Sequence, residues 1–162
     1  FSANIFSTEV DNLIAYDAAL GAPGNVNAAM IQGLELQLDT AMESWKIGGA
    51  LTLLSAEQDG GTYDGKELPR RPSEFLDLRL DRTFAKGSVG ASLFASGSTY
   101  DDLANTREIK SYTTLDLRGA YHLSTKWHVV GKVANVTDED YEQASYYRQP
   151  GRQFFVGVKW AQ

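Results

Sequence analysis

Apolar and polar residues alternate with a period of two along most of this chain. Within 29–40, Leu34, Leu36 and Leu38 fall on one face, and Gly33, Glu35, Gln37 and Asp39 fall on the other. Leu76, Leu78 and Leu80 oppose Asp77, Arg79 and Asp81 in the same way, and Leu115, Leu117, Tyr121 and Leu123 oppose Asp116, Arg118 and His122. Near the end, Phe154, Val156, Val158 and Trp160 oppose Gln153, Phe155, Gly157 and Lys159. A helix, with its period of 3.6, would mix these sets, so the pattern predicts strands. About eight such segments lie near 1–12, 29–40, 45–56, 73–84, 88–99, 112–123, 127–136 and 152–161. Each has roughly the ~9–11 residues that a tilted strand needs to cross a bilayer.

The predicted connections alternate in length. Long ones run through Asp17, Gly21, Pro23, Gly24 and Asn25, from Ala56 to Pro72, from Gly97 to Ser111 and from Thr137 to Gly151. Short ones are Met42-Glu43-Ser44, Ala85-Lys86-Gly87 and Ser124-Thr125-Lys126. In an antiparallel meander every second connection lies on the same rim. The chain is therefore expected to be an all-β, antiparallel transmembrane barrel wall with short periplasmic turns on one side and long extracellular loops on the other. A one-sided sheet in a soluble protein alternates too, but it has no physical reason to keep all its long loops on one rim.

The aromatics sharpen this. Trp45, Trp127 and Trp160 lie beside short turns or at the chain end, in phase with the apolar face, and so do Phe84, Tyr121 and Phe1. An interfacial girdle predicts that placement, because an amphipathic ring favours the headgroup level. At the long rim Tyr16, Tyr63, Tyr100, Asp101, Tyr146 and Tyr147 are candidates to contact a ligand, with Tyr112 beside them.

Composition narrows the function. The chain has 162 residues and is 43% hydrophobic, with no apolar run long enough for a membrane helix. The net charge of −6 argues against a nucleic-acid partner. No Cys is present, so disulfides and thiolate metal sites are excluded. The start, Phe1-Ser2-Ala3-Asn4-Ile5-Phe6, has no feature of a signal peptide. Pro23, Pro69, Pro72 and Pro150 are all expected in connections. Asp59-Gly60-Gly61 and Asp64-Gly65 read as turn chemistry, with a weak Ca²⁺ site in that acidic loop as the alternative. His122 and His128 do not converge with a carboxylate in any metal or triad spacing, and Ser55, Ser73 and Ser92 have no nucleophile-elbow context. No catalytic residue, metal or cofactor is expected.

The last third resembles the closing strands of TonB-dependent receptors. The residues that carry the likeness are Leu115-Asp116-Leu117-Arg118-Gly119-Ala120-Tyr121, then Val133-Ala134-Asn135-Val136-Thr137-Asp138-Glu139-Asp140-Tyr141-Glu142, then Pro150-Gly151-Arg152 leading into the last strand. Earlier, Asn25 to Glu35 is similar to that family's strand with Asn, Ala, Ile, Gly and Glu in series, and Leu68-Pro69-Arg70-Arg71-Pro72 is similar to its loop exit. Asn25-Val26-Asn27, Arg70-Arg71 and Gly97 to Asp102 look most like the cobalamin receptor branch, although siderophore receptors share most of these features. Ala161-Gln162 depart from the family's terminal aromatic.

The resemblance implies that residues 1–162 are the C-terminal part of a 22-stranded barrel whose plug and TonB box lie elsewhere. It implies capture of a scarce small molecule, cobalamin or a metal chelate, at extracellular loops for TonB-driven uptake. Expected partners are outer-membrane lipid, lipopolysaccharide, TonB through the plug, and the barrel assembly machinery. Asn135, Asp138, Tyr141, Gly151 and Arg152 form the structural motif, in which the Arg152 guanidinium is expected to clamp Asp138 or Asp140. Two other readings remain: a complete small barrel of about eight strands with a structural or adhesive role, and a soluble β-sandwich that binds carbohydrate.

Overall fold

The computed structural model describes residues 1–17 and 21–160, leaving aside the side chains of 26 and 27. Among the described residues there are ten strands: β1 (Ser2–Asp17), β2 (Ala22–Met42), β3 (Trp45–Asp59), β4 (Glu74–Phe84), β5 (Gly87–Ser96), β6 (Thr99–Tyr100), β7 (Glu108–Ile109), β8 (Tyr112–His122), β9 (Trp127–Ala134) and β10 (Gln153–Trp160). Eight of them form one antiparallel meander in the order β1-β2-β3-β4-β5-β8-β9-β10, and β6 pairs only with β7. The eight long strands match the period-two segments. The sheet is open, because β1 and β10 do not pair.

Ladder register extends the alternation across the whole sheet. Leu38, Gly49, Leu78, Leu93 and Leu115 make one continuous row on the apolar face. Asp39, Gly48, Arg79, Ser92 and Asp116 make the adjacent row on the opposite, charged face. Along the apolar face Leu78, Leu80, Leu117, Phe154, Val156 and Val158 are exposed, and no part of the described chain covers them. A β-sandwich would bury such a face under a second sheet, yet the only second sheet among the described residues is the two-stranded β6–β7 pair. An uncovered apolar face this wide needs a nonaqueous neighbour, which lipid supplies. From Trp45 to Leu53 it spans about 26 Å of strand at ~3.3 Å per residue, or about 20 Å after a ~40° tilt.

Above that band the two faces exchange character. Ser7, Gln32 and Ser55 continue the apolar face as a polar row, and Asp11 and Asp59 flank Ala28 two rows further on. On the other face Ile31, Ala29 and Ala56 turn apolar, and with Leu68 and Leu103 they form the buried cluster of the chain. Asn12 has a positive φ of 55°, a conformation that Asn tolerates better than most residues. Just beyond it Leu13 and Ala15 pack on the cluster, while Ile14 and Tyr16 face out.

This corrects the first predicted connection. Of the residues expected in a long loop, Asp17, Pro23, Gly24 and Asn25 are strand and Gly21 is turn, 18–20 lying outside the described residues: β1 runs to Asp17 and β2 starts at Ala22, with Asp17 opposite Ala22 and Pro23 opposite Tyr16. The hairpin stands above the lipid, where its outer face mixes Asp11 with Ile14 and Tyr16 and the apolar-out pattern no longer marks strand. Pro23 lies where β2 has β1 as its only neighbour, since pairing with β3 begins at Ala28, so a missing N–H is tolerated.

Candidate functional site

The remaining long connections fold onto the charged face at the long rim and are joined to one another. In the β3–β4 loop, Gln58 N donates to Lys66 O (2.8 Å) and Leu68 N to Ala56 O (2.8 Å), so residues 66–68 run back along β3. Gly60, Gly61 and Gly65 take positive φ, and Gly60 N donates to Asp64 Oδ1 (2.7 Å). Those bonds account for the Asp-Gly steps as turns. No group of three or more His, Cys, Asp or Glu able to hold a metal occurs among the described residues.

The β5–β8 connection docks on this loop by imitating a strand. Asn105 Oδ1 accepts from Glu67 N (2.8 Å) while its Nδ2 donates to Glu67 O (3.0 Å). Gln58 Nε2 donates to Leu103 O (2.7 Å), and Leu103 enters the buried cluster. Asp102, fully buried, holds the connection together by accepting from Arg107 N (2.7 Å), Thr106 N (2.9 Å) and Thr106 Oγ1 (2.8 Å). Burial pushes the Asp102 carboxyl up, but these donors and the nearby Arg107 charge outweigh it and hold the group below the usual carboxylate range.

Asp101 joins three loops. Its Oδ1 accepts from the Arg70 guanidinium and its Oδ2 from Ser145 N (3.2 Å), and Arg70 N donates to Tyr100 O (2.7 Å). The Arg70 guanidinium also lies 4.8 Å from the centre of the Tyr16 ring. Asp101 was expected on a ligand-facing surface, but it is 2% exposed with both carboxylate oxygens engaged. It acts as a clasp, because a buried charge needs its partners inside the fold. Of the other candidates, Tyr63 packs on the buried cluster and Tyr100 is half-buried. Tyr16 is stacked by Arg70 yet remains 43% exposed, and Tyr146 and Tyr147 are 82% and 71% exposed. The last two sit in the β9–β10 loop, where Tyr146 has a φ of 71° and its N–H donates to Glu142 (3.1 Å).

That loop is organised by Asn135. Its Oδ1 accepts from Glu139 N (2.9 Å), its Nδ2 donates to Glu139 O (2.9 Å), and its own N–H donates to Asp116 Oδ1 (2.9 Å). Asp138 closes the loop, but through backbone: Arg152 N, and not its guanidinium, donates to Asp138 Oδ1 (2.7 Å), while Asp140 pairs with Arg148 (3.4 Å). The expected guanidinium clamp is thus replaced by a main-chain one. Gly151 is needed because a Cβ there would lie 2.7 Å from Asp138 Oδ1. Tyr141 stacks on Tyr112 at 4.2 Å between ring centres, and burial, then Tyr112 and Asp116, push its phenol up. Sequence spacing gave no sign of the file this completes, in which Phe75, Phe94, Tyr112 and Tyr141 follow one another across three strands and a loop.

Below the loops, ion pairs line the charged face, two of them across strands and one along β4. Arg118 makes two bonds to Asp81 (3.0 and 2.7 Å), Lys132 pairs with Asp116 (2.7 Å) and Arg79 with Asp77 (2.8 Å). At the short rim the guanidinium of Arg82 lies 4.9 Å from the ring centres of both Trp45 and Phe84 on the apolar face. Trp127 and Trp160 face each other across β9–β10, and Tyr121 is exposed on the same face.

Comparison with known proteins accounts for this architecture. The family described as TonB dependent receptor-like, beta-barrel matches residues 1–136. The chain is 29% identical over 158 residues to the vitamin B12 transporter BtuB of Photobacterium profundum, covering 93% of this chain and 26% of that protein. It is 26% identical over 161 residues to a probable TonB-dependent siderophore receptor, PiuA, of Acinetobacter baumannii, covering 90% and 21%. Among solved structures, that of the siderophore receptor PiuA from Acinetobacter baumannii superposes with a TM-score of 0.84 at 24% identity, over 98% of this chain and 25% of the other. That of the ferric-catecholate import receptor Fiu from E. coli superposes with a TM-score of 0.78 at 22% identity, over 98% and 24%. The chain spans about a quarter of the length of these relatives. Its open sheet, bare apolar face and one-sided loops are those of a barrel section, and the chain belongs to the TonB-dependent receptor β-barrel family of the bacterial outer membrane.

Proposed function

We propose that this chain is the C-terminal share of a nutrient receptor's barrel, and that its long-rim loops help to capture a bulky small molecule, cobalamin or a metal–siderophore chelate, for TonB-driven uptake. The observation that carries this reading is the linked loop assembly. Asp101, Asp102, Asn105 and Asn135 hold three loops in fixed positions while Tyr146 and Tyr147 stand exposed on them. Fixed loops presenting aromatic side chains lower the ordering cost of binding, and Tyr offers a large contact area with few rotors. The apolar face meets outer-membrane lipid, its polar continuation above the band meets lipopolysaccharide, and the barrel assembly machinery inserts the wall. Coupling to TonB falls to a plug in the rest of the protein. This is a receptor's work, in which no covalent bond is made or broken.

Likeness to a cobalamin transporter and to a siderophore receptor leaves two cargo classes, and direct binding separates them. The full-length receptor is titrated with cyanocobalamin and, separately, with ferric catecholate and hydroxamate chelates. Saturable binding of one class, and growth on that nutrient that depends on TonB, is the expected result. Failure to bind any of them would remove the proposal.

A further inference from the structure

We propose that His122 and His128 form a two-imidazole site for a divalent transition-metal ion at the short-turn mouth of the barrel, on the charged face. The two residues are directly opposite in the β8–β9 ladder, and their rings meet edge to face with centres 4.5 Å apart. Directly opposed antiparallel residues have Cβ atoms about 4.5–5.5 Å apart. Nitrogens on two such rings can reach one ion at ~2.0–2.1 Å each after turns about χ2, a soft torsion. Imidazole suits Zn²⁺, Cu²⁺ and Ni²⁺.

The backbone beneath the pair is fixed before any ion arrives. Leu123 N and Ser124 N both donate to Trp127 O (2.9 and 3.2 Å), Trp127 N donates to Ser124 Oγ (3.1 Å), and His122 N donates to Lys86 O (2.8 Å). His122 is exposed and His128 half-buried, so water and ions reach both. Water would complete the coordination. Lys159, opposite His128 on β10, and Lys86, whose carbonyl accepts from His122 N on the other side, flank the pair, and their ammoniums oppose a cation there. The site is thus weaker than a four-ligand structural one. In sequence the two histidines are separated by five residues, a gap found between zinc-finger histidines but here without the cysteine pair that accompanies it, so the spacing alone is no signal; the turn brings the two rings together.

The test uses the full-length receptor in detergent, purified without a polyhistidine tag and titrated with ZnCl₂ by calorimetry and with CuSO₄ by electron paramagnetic resonance. One ion per chain with nitrogen hyperfine structure from two imidazoles is expected. His122→Gln and His128→Gln should each lose at least about tenfold in affinity, the low end of what removing even a ligand-orienting group costs. Lys159→Glu, which sets a carboxylate beside the pair, should tighten binding. Wild-type affinity in either histidine variant, or no tightening in K159E, overturns the proposal. Thermal unfolding of each variant without metal guards against reading a folding defect as lost binding. Cargo binding at the opposite rim is a separate measurement, so the two proposals fail independently.

Discussion

Arg118 reaches Asp81 across an intervening strand: its Nε and Nη2 lie 3.0 and 2.7 Å from the two carboxylate oxygens, directly over Gly90 of β5. A Cβ at Gly90 would sit 2.0 Å from Asp81 Oδ1 and 2.9 Å from Arg118 Nε. Gly48 also lies between two charged side chains, Asp39 and Arg79, with its Cβ position 3.1 and 3.5 Å from them, although Asp39 bonds Gln37 and Arg79 pairs with Asp77. Gly90 thus keeps the charged face low enough for side chains two strands apart to meet.

The cost of filling that gap should exceed the cost of losing the pair. Both charges are more than a third exposed, so Asp81→Asn in the full-length receptor is expected to lower stability by less than about 1 kcal/mol. Gly90→Leu, which forces the two side chains and the ladder apart, should cost about 1–3 kcal/mol. Urea midpoints of the refoldable receptor in detergent give both values, and equal effects would refute the saddle role of Gly90.

Asp102 makes loop docking acid-sensitive. Its carboxyl is held below the ordinary value in the folded loop, so its contribution is complete above the unfolded carboxyl's pKa of about 3.9 and is lost as pH falls through the lower, folded value. Limited proteolysis of the 97–111 loop with an acid-active protease should therefore stay slow above the unfolded carboxyl's value of about 3.9 and accelerate as the pH is lowered past it. Asp102→Ala leaves the buried N–H groups of Thr106 and Arg107 without their acceptor and should cost about 1–3 kcal/mol of loop stability at neutral pH. Its cleavage at neutral pH should already be fast.

In the last loop the main-chain clamp separates two variants that the sequence motif would treat alike. Arg152→Ala retains the N–H that binds Asp138 and should change stability by less than about 0.5 kcal/mol. Asp138→Ala removes the acceptor and should cost about 1 kcal/mol or more, read as faster hydrogen exchange at residues 138–152. Gly151→Ala should behave like Asp138→Ala.

For cargo, Tyr146→Ala and Tyr147→Ala in the full-length receptor should each weaken binding about tenfold, near 1.4 kcal/mol, without altering barrel assembly. Asp101→Ala should also weaken binding, but with faster loop proteolysis beside it, since Asp101 acts through loop position. If the two tyrosine variants bind as wild type does, cargo contact lies elsewhere on the rim.

The wall was legible in the sequence because lipid imposes one rule on every strand within it. Leu34, Leu36 and Leu38, or Phe154, Val156 and Val158, announce their face without knowledge of any partner. The hairpin above the lipid was not legible. There Ile31 and Ala29 turn inward and Ser7 and Gln32 outward, and Asn12 interrupts the alternation, so apolar-out periodicity lost its meaning. The loop motif around Asn135 was found from its residue types, whereas the donor from residue 152 was misassigned because a backbone N–H has no signature in sequence. Asp101 was placed among ligand contacts for a related reason: only the fold shows that Arg70 and Ser145 come to meet it.

The strands differ greatly in length, with 21 residues in β2, 11 in β8 and 8 in β10. At ~3.3 Å per residue, β2 outreaches β10 by about 43 Å of strand. The section therefore has a parapet on its β1–β3 flank and a low sill at β9–β10, and the sill carries the loop with Tyr146 and Tyr147. The rim is therefore uneven, tall on the flank that carries Ile14 and Tyr16 and low on the flank that carries Tyr146 and Tyr147.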